Sequence, residues 1–195
     1  MSTPDVGSES SLTLAPLVAP SLGTNADASP TDVESLIDRF GPMIYRVAHS
    51  VLGDVPQTED ATQETLLKVW QNLDSYRGDA PIEHWIARIA HNVSISALRR
   101  RREIALDPQE DSPISNRIST SDPVKETEQH FIRAAFETAL DNLDELSRTI
   151  VVLREIEGFT YESIAETLDL PLPTVKTRLF RARRVLAKEL EGWQE

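Results

Sequence analysis

Basic side chains gather at two places in this chain of 195 residues. Four consecutive arginines occupy positions 99–102. A second group lies near the C-terminus, with no acidic residue between its members, and comprises Lys176, Arg178, Arg181, Arg183, Arg184 and Lys188. Cations at this density can neutralise the backbone phosphates of a nucleic acid. Each group also fits a simpler interpretation, a solvated helix end whose cations interact favourably with the helix dipole.

The side chains that carry most enzyme chemistry are missing or scattered. No cysteine is present, which excludes a disulfide framework, a thiolate metal site and a thiol nucleophile. The four histidines, at positions 49, 84, 91 and 130, form no recognised ligand motif, and no glycine-rich phosphate loop or nucleophile elbow appears. We therefore expect no catalytic activity, no bound metal and no cofactor.

The net charge of -12 argues on its own against a nucleic-acid partner, but the charge is unevenly distributed. Residues 171–195 carry +3, and the acidic excess lies earlier in the chain. The apolar stretch 12–22 is interrupted by Pro16 and Pro20, and no run of 18 apolar residues occurs. We expect neither a signal peptide nor a membrane span, and hence a cytoplasmic protein.

The basic group near the C-terminus lies on a segment with helical periodicity. On a helical wheel of residues 173–190, one face is apolar and the opposite face carries Thr177, Arg181, Arg184 and Lys188. A short helix at 161–168 and a turn at 169–172 precede it, which is a helix-turn-helix pattern. When such a helix lies in a major groove, five of its residues face bases and phosphates: Thr174, Lys176, Thr177, Phe180 and Arg181. The alternative is an amphipathic helix that closes a bundle.

The elements around these groups are predicted to be helices throughout. Residues 1–30 have the composition of a disordered tail, and Thr31 with Glu34 has the spacing of a capping box. Pro42 is expected to kink or split the first helix. Further helical patterns cover 58–73 and 81–102. After a linker, Asp122 is predicted to cap another helix, and a later helical pattern covers 144–157. The fold class is therefore all-α, with two small helical domains at 31–102 and 124–195 joined by a flexible linker at 103–123.

Residues 153–165, followed by Pro171 and by 174–183, resemble region 4 of the sigma-70 family, in its extracytoplasmic-function (ECF) group. The resemblance implies that this domain recognises the minus-35 element of a promoter, and it adds Arg154 to the DNA contacts. Two positions depart from the family pattern: Asp144 replaces a proline and Pro173 replaces a glycine. Asp144 can cap a helix and Pro173 suits a first turn, although Pro173 has no N–H for a phosphate.

The first domain is similar to region 2 of the same family, through residues 59–64, 69–70, 73–78, 85–92 and 99–100. Asp60, Gln63, Glu64 and Leu67 share one helical face, which without the family would be interpreted as a solvated amphipathic face. The resemblance implies instead that this face docks on the largest subunit of core RNA polymerase.

The loop 74–81 and the helix after it correspond to the part of region 2 that opens the minus-10 element. Asn92 matches a position that lines a pocket for an extruded base, and an amide both donates and accepts. Tyr76 and Trp85 are placed to stack or wedge, although Trp85 at helical spacing with Ile89 also fits a core residue. Arg77 and the arginines at 99–102, Arg99 and Arg100 among them, would hold the strand backbone. Ser96 stands where the family often has aspartate.

Two matched regions in the family's order predict a sigma factor that directs core RNA polymerase to promoters and promotes DNA opening. The partners implied are core RNA polymerase, duplex minus-35 DNA, single-stranded minus-10 DNA and an anti-sigma protein. The alternative is a helix-turn-helix regulator that does not replace the sigma subunit. That alternative explains residues 161–190 equally well, but gives no reason for the acidic face at 60–67 or for the loop 74–81.

Overall fold

The computed structural model describes residues 33–105 and 138–191, and these are helical with no strand. The first described part holds α1 (Val33–Leu52), α2 (Val55–Asn72), a short 3-10 turn (Leu73–Ser75) and α3 (Ile82–Ala105). The second holds a helical end at 138–141, α4 (Glu145–Val151) with a π-helical continuation (Val152–Ile156), α5 (Tyr161–Leu168) and α6 (Leu172–Glu191). No helix among these residues has the length and apolarity needed to cross a bilayer.

The first three helices form a bundle around an apolar core. Helix α1 buries one stripe of side chains, including Phe40, Ile44 and Val47, against Val69 of α2 and Ile86 of α3. Pro42 lies within α1, yet the helix continues through it unbroken, so the expected split is wrong. Burial of apolar residues on both sides of the proline offsets its cost of about 3 kcal/mol.

Two helix boundaries in this bundle differ from the sequence prediction. Helix α2 begins earlier than residue 58, because the Asp54 side chain accepts a hydrogen bond from the Gln57 N–H and caps the helix at Val55. Helix α3 extends to Ala105, so the expected linker at 103–123 begins inside a helix, where Glu103 pairs with Arg99 at 3.6 Å. The rest of that linker, the expected tail at 1–30 and the expected cap at Asp122 lie outside the described residues.

The second bundle is organised by caps that the sequence signals. Asp144 accepts a hydrogen bond from the Ser147 N–H at 2.7 Å and begins α4, as predicted. Thr160 caps α5 through Ser163, and α5 ends at Asp169, which adopts the left-handed conformation with φ 54°. Helix α5 covers residues 161–168 as predicted, and α6 extends one residue beyond each end of the predicted 173–190.

The two bundles pack against each other in the structure. Helix α1 contacts α4 and the π-helical segment, and α3 contacts α5. Buried side chains from both bundles, such as Phe40 and Ile150, belong to one continuous hydrophobic cluster. The sequence predicted two domains on a flexible linker, able to occupy separate surfaces, and gave no indication of this closed arrangement.

Candidate nucleic-acid interface

Helix α6 presents a polar face to solvent because its apolar face is packed against the other helices of its bundle. Val175, Leu179, Ala182 and Leu186 are buried against α4 and α5, as the helical wheel predicted. On the other side, Lys176, Thr177 and Arg181 are exposed, Thr174 is half-buried, and the Phe180 ring is 64% exposed. Phe180 is therefore accessible to a partner on the same face as the exposed basic side chains.

Two of the basic residues on α6 serve the fold instead. The Arg178 guanidinium bonds both the Asp144 carboxylate, at 2.9 Å, and the Ser147 hydroxyl, at 3.1 Å. Burial tends to raise the pKa of Asp144, but hydrogen bonds from Ser147 and Arg178 outweigh it and hold that pKa below its usual value. Burial tends to lower the pKa of Arg183, but the hydrogen bonds and charge of Glu155, 2.7 Å away, outweigh it and raise that pKa.

The start of α6 forms one wall of a surface concavity of about 600 Å³. Thr174, Thr177 and Arg181 line it, together with apolar residues that include Leu143 and Ala182. The structure therefore brings three of the six predicted minus-35 residues into one concave surface beside the helix N-terminus, where backbone N–H groups favour anions.

Arg154 lies on the π-helical segment, and neighbouring groups hold its side chain. The wider π turn is closed by a bond from the Glu157 N–H to the Val152 carbonyl at 3.1 Å. The Arg154 guanidinium donates to the Phe159 carbonyl at 2.7 Å and lies 4.9 Å from the centre of the Tyr161 ring. These two contacts hold the half-buried side chain in one orientation.

The loop before α3 is organised around Tyr76. Its hydroxyl donates to the Ala80 carbonyl, and its ring lies 5.6 Å from that of Trp85. Trp85 is half-buried and packs against the core cluster, as its helical spacing with Ile89 allowed. The rest of its side chain remains accessible. Both rings line a cavity of about 200 Å³, and the neighbouring Arg77 is exposed.

One face of α3 continues the surface from that loop. Asn92, Arg99 and Arg100 are exposed, and the two arginines form weak ion pairs, Arg99 with Glu103 at 3.6 Å and Arg100 with Glu64 at 3.8 Å. Sequence reasoning missed Arg88, which is exposed and lies three residues after Trp85 and four before Asn92. That helical spacing was the available signal.

A buried histidine precedes Asn92 on α3. His91 is buried, and its Nδ1 has no hydrogen-bond partner among the described residues. Burial lowers the pKa of His91 to about 4. The imidazole is therefore neutral at physiological pH and serves as a packing residue next to Asn92.

The predicted polymerase face of α2 is open to solvent. Asp60 and Gln63 are exposed, Glu64 bonds Lys68 at 2.8 Å, and Leu67 is 57% exposed. Trp70, three residues beyond Leu67 on the same helix, is 53% exposed and was not predicted as part of this face. Its spacing from Gln63 and Leu67 was a signal that could have included it.

No group of three or more histidine, aspartate or glutamate side chains in the described part of the chain could hold a metal ion. On the exposed faces of α3 and α6, the polar groups named above are mainly hydrogen-bond donors and cations, whereas the α2 face also carries carboxylates. Donors and cations suit recognition of phosphates and bases.

Two family models match the chain, Sigma-70 region 2 over residues 36–104 and Sigma-70, region 4 over residues 133–186. The chain is 33% identical over 165 residues to the ECF RNA polymerase sigma factor SigE of Mycolicibacterium smegmatis. The match covers 84% of this chain but only 63% of SigE, so this chain spans less than two thirds of that relative. It is also 33% identical over 169 residues to the ECF RNA polymerase sigma-E factor of Haemophilus influenzae, covering 78% of this chain and 87% of that protein.

A solved structure supports the same likeness in three dimensions. The sigma factor RpoE of Bartonella quintana, in complex with the anti-sigma factor NepR, superposes with a TM-score of 0.64 at 25% identity. The match covers 81% of this chain and 96% of that one.

Proposed function

The chain belongs to the sigma-70 family, in its ECF group, and on that premise we propose how its surfaces divide the work of transcription initiation. The domain at 31–102 binds core RNA polymerase and the minus-10 element, and the domain at 124–195 binds the minus-35 element. The protein acts in the cytoplasm and performs no catalysis, because RNA synthesis belongs to the polymerase that it directs. An anti-sigma protein is a further partner, since the Bartonella relative is seen in complex with one.

Polymerase binding is assigned to the exposed face of α2. Leu67 and Trp70 form an apolar centre that a protein partner would desolvate, and Asp60, Gln63 and Glu64 surround it with polar groups. Protein interfaces commonly have this arrangement, in which an aromatic or aliphatic centre is enclosed by a polar rim.

Recognition of the upstream duplex is assigned to the first turns of α6. Thr174, Lys176 and Thr177 line the end that enters the major groove, where hydroxyl and ammonium groups reach base edges and phosphates. Phe180 offers an apolar surface for a thymine methyl group, and Arg181 offers a bidentate donor for guanine. Arg154, fixed by Phe159 and Tyr161, supports the contact from the π-helical segment.

Capture of the opened strand is assigned to the loop at 74–81 and to α3. Unstacking a base step costs a few kcal/mol, and binding the exposed base in a protein pocket offsets that cost. Tyr76 and Trp85 provide stacking surfaces, Asn92 provides an amide for a base edge, and the arginines bind the backbone. Arg88 joins Arg77, Arg99 and Arg100 in this last role because it lies between Trp85 and Asn92.

The observation that carries the proposal is the presence, in one chain and in family order, of an open polymerase face and an open recognition helix. The experiment is transcription by core RNA polymerase with and without the purified protein on genomic templates, with sequencing of the transcript starts. New starts that share two upstream elements are expected. A protein that binds duplex DNA alone and never stimulates initiation would favour the helix-turn-helix regulator.

A pair of matched variants makes that experiment specific to the polymerase face. Leu67→Asp places a charge in the apolar centre of the face and is expected to abolish binding to core polymerase. Ile37→Asp alters an equally large side chain, 46% exposed on α1, and is expected to leave polymerase binding unchanged. Equal losses in both variants would contradict the assignment to α2.

A further inference from the structure

The contacts that join the two domains in the closed arrangement include the shared hydrophobic cluster and the Arg102–Glu145 ion pair at 2.7 Å. Three further contacts lie between α1 or α3 and the second domain, and we call these three the interdomain latch. The Arg46 guanidinium on α1 donates twice to the Glu157 carboxylate, at 2.6 Å and 3.2 Å, and the Glu157 side chain is only 10% exposed. The hydroxyls of Ser50 and Thr149 are hydrogen-bonded at 2.9 Å and buried. The ring centres of His84 and Phe159 lie 4.3 Å apart.

The latch places the C-terminal end of α5 on the strand-binding face of α3. The Arg88 guanidinium donates to the backbone carbonyl of Glu166. Glu166 and Thr167 also complete the cavity of about 200 Å³ that Tyr76 and Trp85 line. One domain therefore contacts Arg88 and narrows access to Tyr76 and Trp85, which the other domain is proposed to use for the opened strand.

The covering contact is one that DNA can displace. The Arg88 guanidinium binds a neutral carbonyl in the closed arrangement, whereas a phosphate would offer it a charged acceptor and a stronger hydrogen bond. The carbonyl occupies one Nη2 donor of the guanidinium, so a phosphate that binds through the same N–H must displace it.

Promoter geometry also requires the domains to separate. The two promoter elements are centred about 25 base pairs apart, or roughly 85 Å along the duplex at 3.4 Å per base pair. Helix α3, at 24 residues, is only about 36 Å long at 1.5 Å per residue. In the closed arrangement α3 contacts α5 and α5 contacts α6, so α3 and α6 lie much closer together than the two promoter elements do.

We propose that this chain inhibits itself: the interdomain latch holds α5 over Arg88, Tyr76 and Trp85, and this closure excludes single-stranded minus-10 DNA. The inference rests on the proposed function, because it takes these three residues as strand contacts. Polymerase can still bind the closed chain, since the α2 face remains open. Opening then follows when the polymerase and the promoter hold the two domains apart.

The size of the inhibition follows from the population of the closed form. If nine chains in ten are closed, the apparent affinity for the strand is about tenfold weaker than that of the open chain. Breaking the latch should remove most of that factor. The Glu157 carboxylate is nearly buried and accepts two hydrogen bonds from Arg46, so reversing either charge puts two like charges in the interface and should open the molecule. Exchanging both charges should close it again.

The first measurement is the distance between the domains. The chain has no native cysteine, so cysteines placed at the exposed positions Gln71 and Glu162 can carry spin labels specifically. We expect one short distance in the parent chain and in the exchanged Arg46→Glu/Glu157→Arg variant, and a longer, broader distribution in each single variant. Glu83→Gln, which breaks the Arg39–Glu83 pair within one domain, should leave the short distance unchanged.

The second measurement is binding of the full chain to the labelled non-template strand of a promoter that it opens with core polymerase. Both Arg46→Glu and Glu157→Arg should tighten binding by roughly threefold to tenfold, and the exchanged variant should restore the parent value. The two single variants change the net charge in opposite directions, so tightening in both cannot come from net charge.

Three results would overturn the inference: a parent chain that shows only the long distance, single variants that open without tightening strand binding, or tightening confined to Glu157→Arg. Failure of the proposed function is seen separately, as absence of new transcripts with core polymerase. A parent chain that initiates transcription but meets any of the three results leaves the proposed function standing without self-inhibition.

Discussion

Arg178 and Arg181 lie three positions apart on α6 and have different surroundings. Arg178 is tied to Asp144 and Ser147, whereas Arg181 is exposed beside Thr177. Counting basic residues along the sequence could not separate them, because the partner of Arg178 is 34 residues away in the chain. The apolar face of α6 could be predicted, since burial follows a local period of 3.6 residues.

Arg181→Ala should weaken discrimination at the minus-35 element. Losing a bidentate contact to a base costs about 1 to 3 kcal/mol at the base concerned and leaves other positions unaffected. The measurement is holoenzyme binding to a set of promoters varied at each position of that element. Arg184→Ala, at an exposed position further along α6, should weaken binding to all of them about equally. An unchanged promoter preference in Arg181→Ala would argue against this placement of the helix.

Asn92→Ala should impair promoter opening more than polymerase binding. The exposed amide is replaced by a methyl group that can neither donate to nor accept from an extruded base. Opening is followed by permanganate reactivity of unpaired thymines, and polymerase binding by fluorescence anisotropy. If both fall together, Asn92 does not line a base pocket.

His91 should make stability depend on pH between about 6.5 and 4. Its pKa is about 4 in the folded chain, against the ordinary 6.5 after unfolding, so the unfolded state binds the proton more readily. Stability is complete above pH 6.5 and falls as the pH drops toward 4, by up to about 3 kcal/mol. Urea denaturation of parent and His91→Gln should show a smaller pH dependence in the variant. His49→Gln, at an exposed histidine, should keep the parent's dependence.

At the scale of elements, the helices were predictable where signals are local. The N-cap at Asp144 and the span of α5 follow from residue types within a few positions. The sequence did not predict that α1 continues through Pro42, nor that a π-helical segment follows α4, because both features depend on packing between helices. The site residues placed on these elements remain predictions, although the structure leaves most of them open to solvent.

Asp144→Ala should destabilise the second domain by about 1 kcal/mol, because the first turn of α4 loses its side-chain acceptor. Asp144→Asn keeps an oxygen for the Ser147 N–H but removes the charge that pairs with Arg178, so it should retain most of the stability. Thermal and chemical denaturation of the three proteins measures the difference. Equal losses in both variants would mean that the ion pair to Arg178, and not the cap, stabilises α4.

At the scale of the whole molecule, the closed arrangement had no sequence signal. Arg46 and Glu157 are 111 positions apart, and neither belongs to a pattern that points to the other. The family resemblance predicted two domains and their order, but the contact between them arises from surface complementarity. Linker composition suggested separation, and the structure instead joins both domains in one core cluster.

The length of the connection between domains should limit promoter binding once the latch is open. Residues 106–123 can reach about 60 Å when fully extended, a large part of the roughly 85 Å between the two elements. Without them, residues 124–137, which the sequence predicts to be helical, would span only about 20 Å. Deleting 106–123 should therefore abolish footprint protection at minus-35 while polymerase binding through α2 persists. A glycine-serine replacement of equal length should restore the upstream footprint, and protection at both elements by the deleted chain would show that the domains need not separate this far.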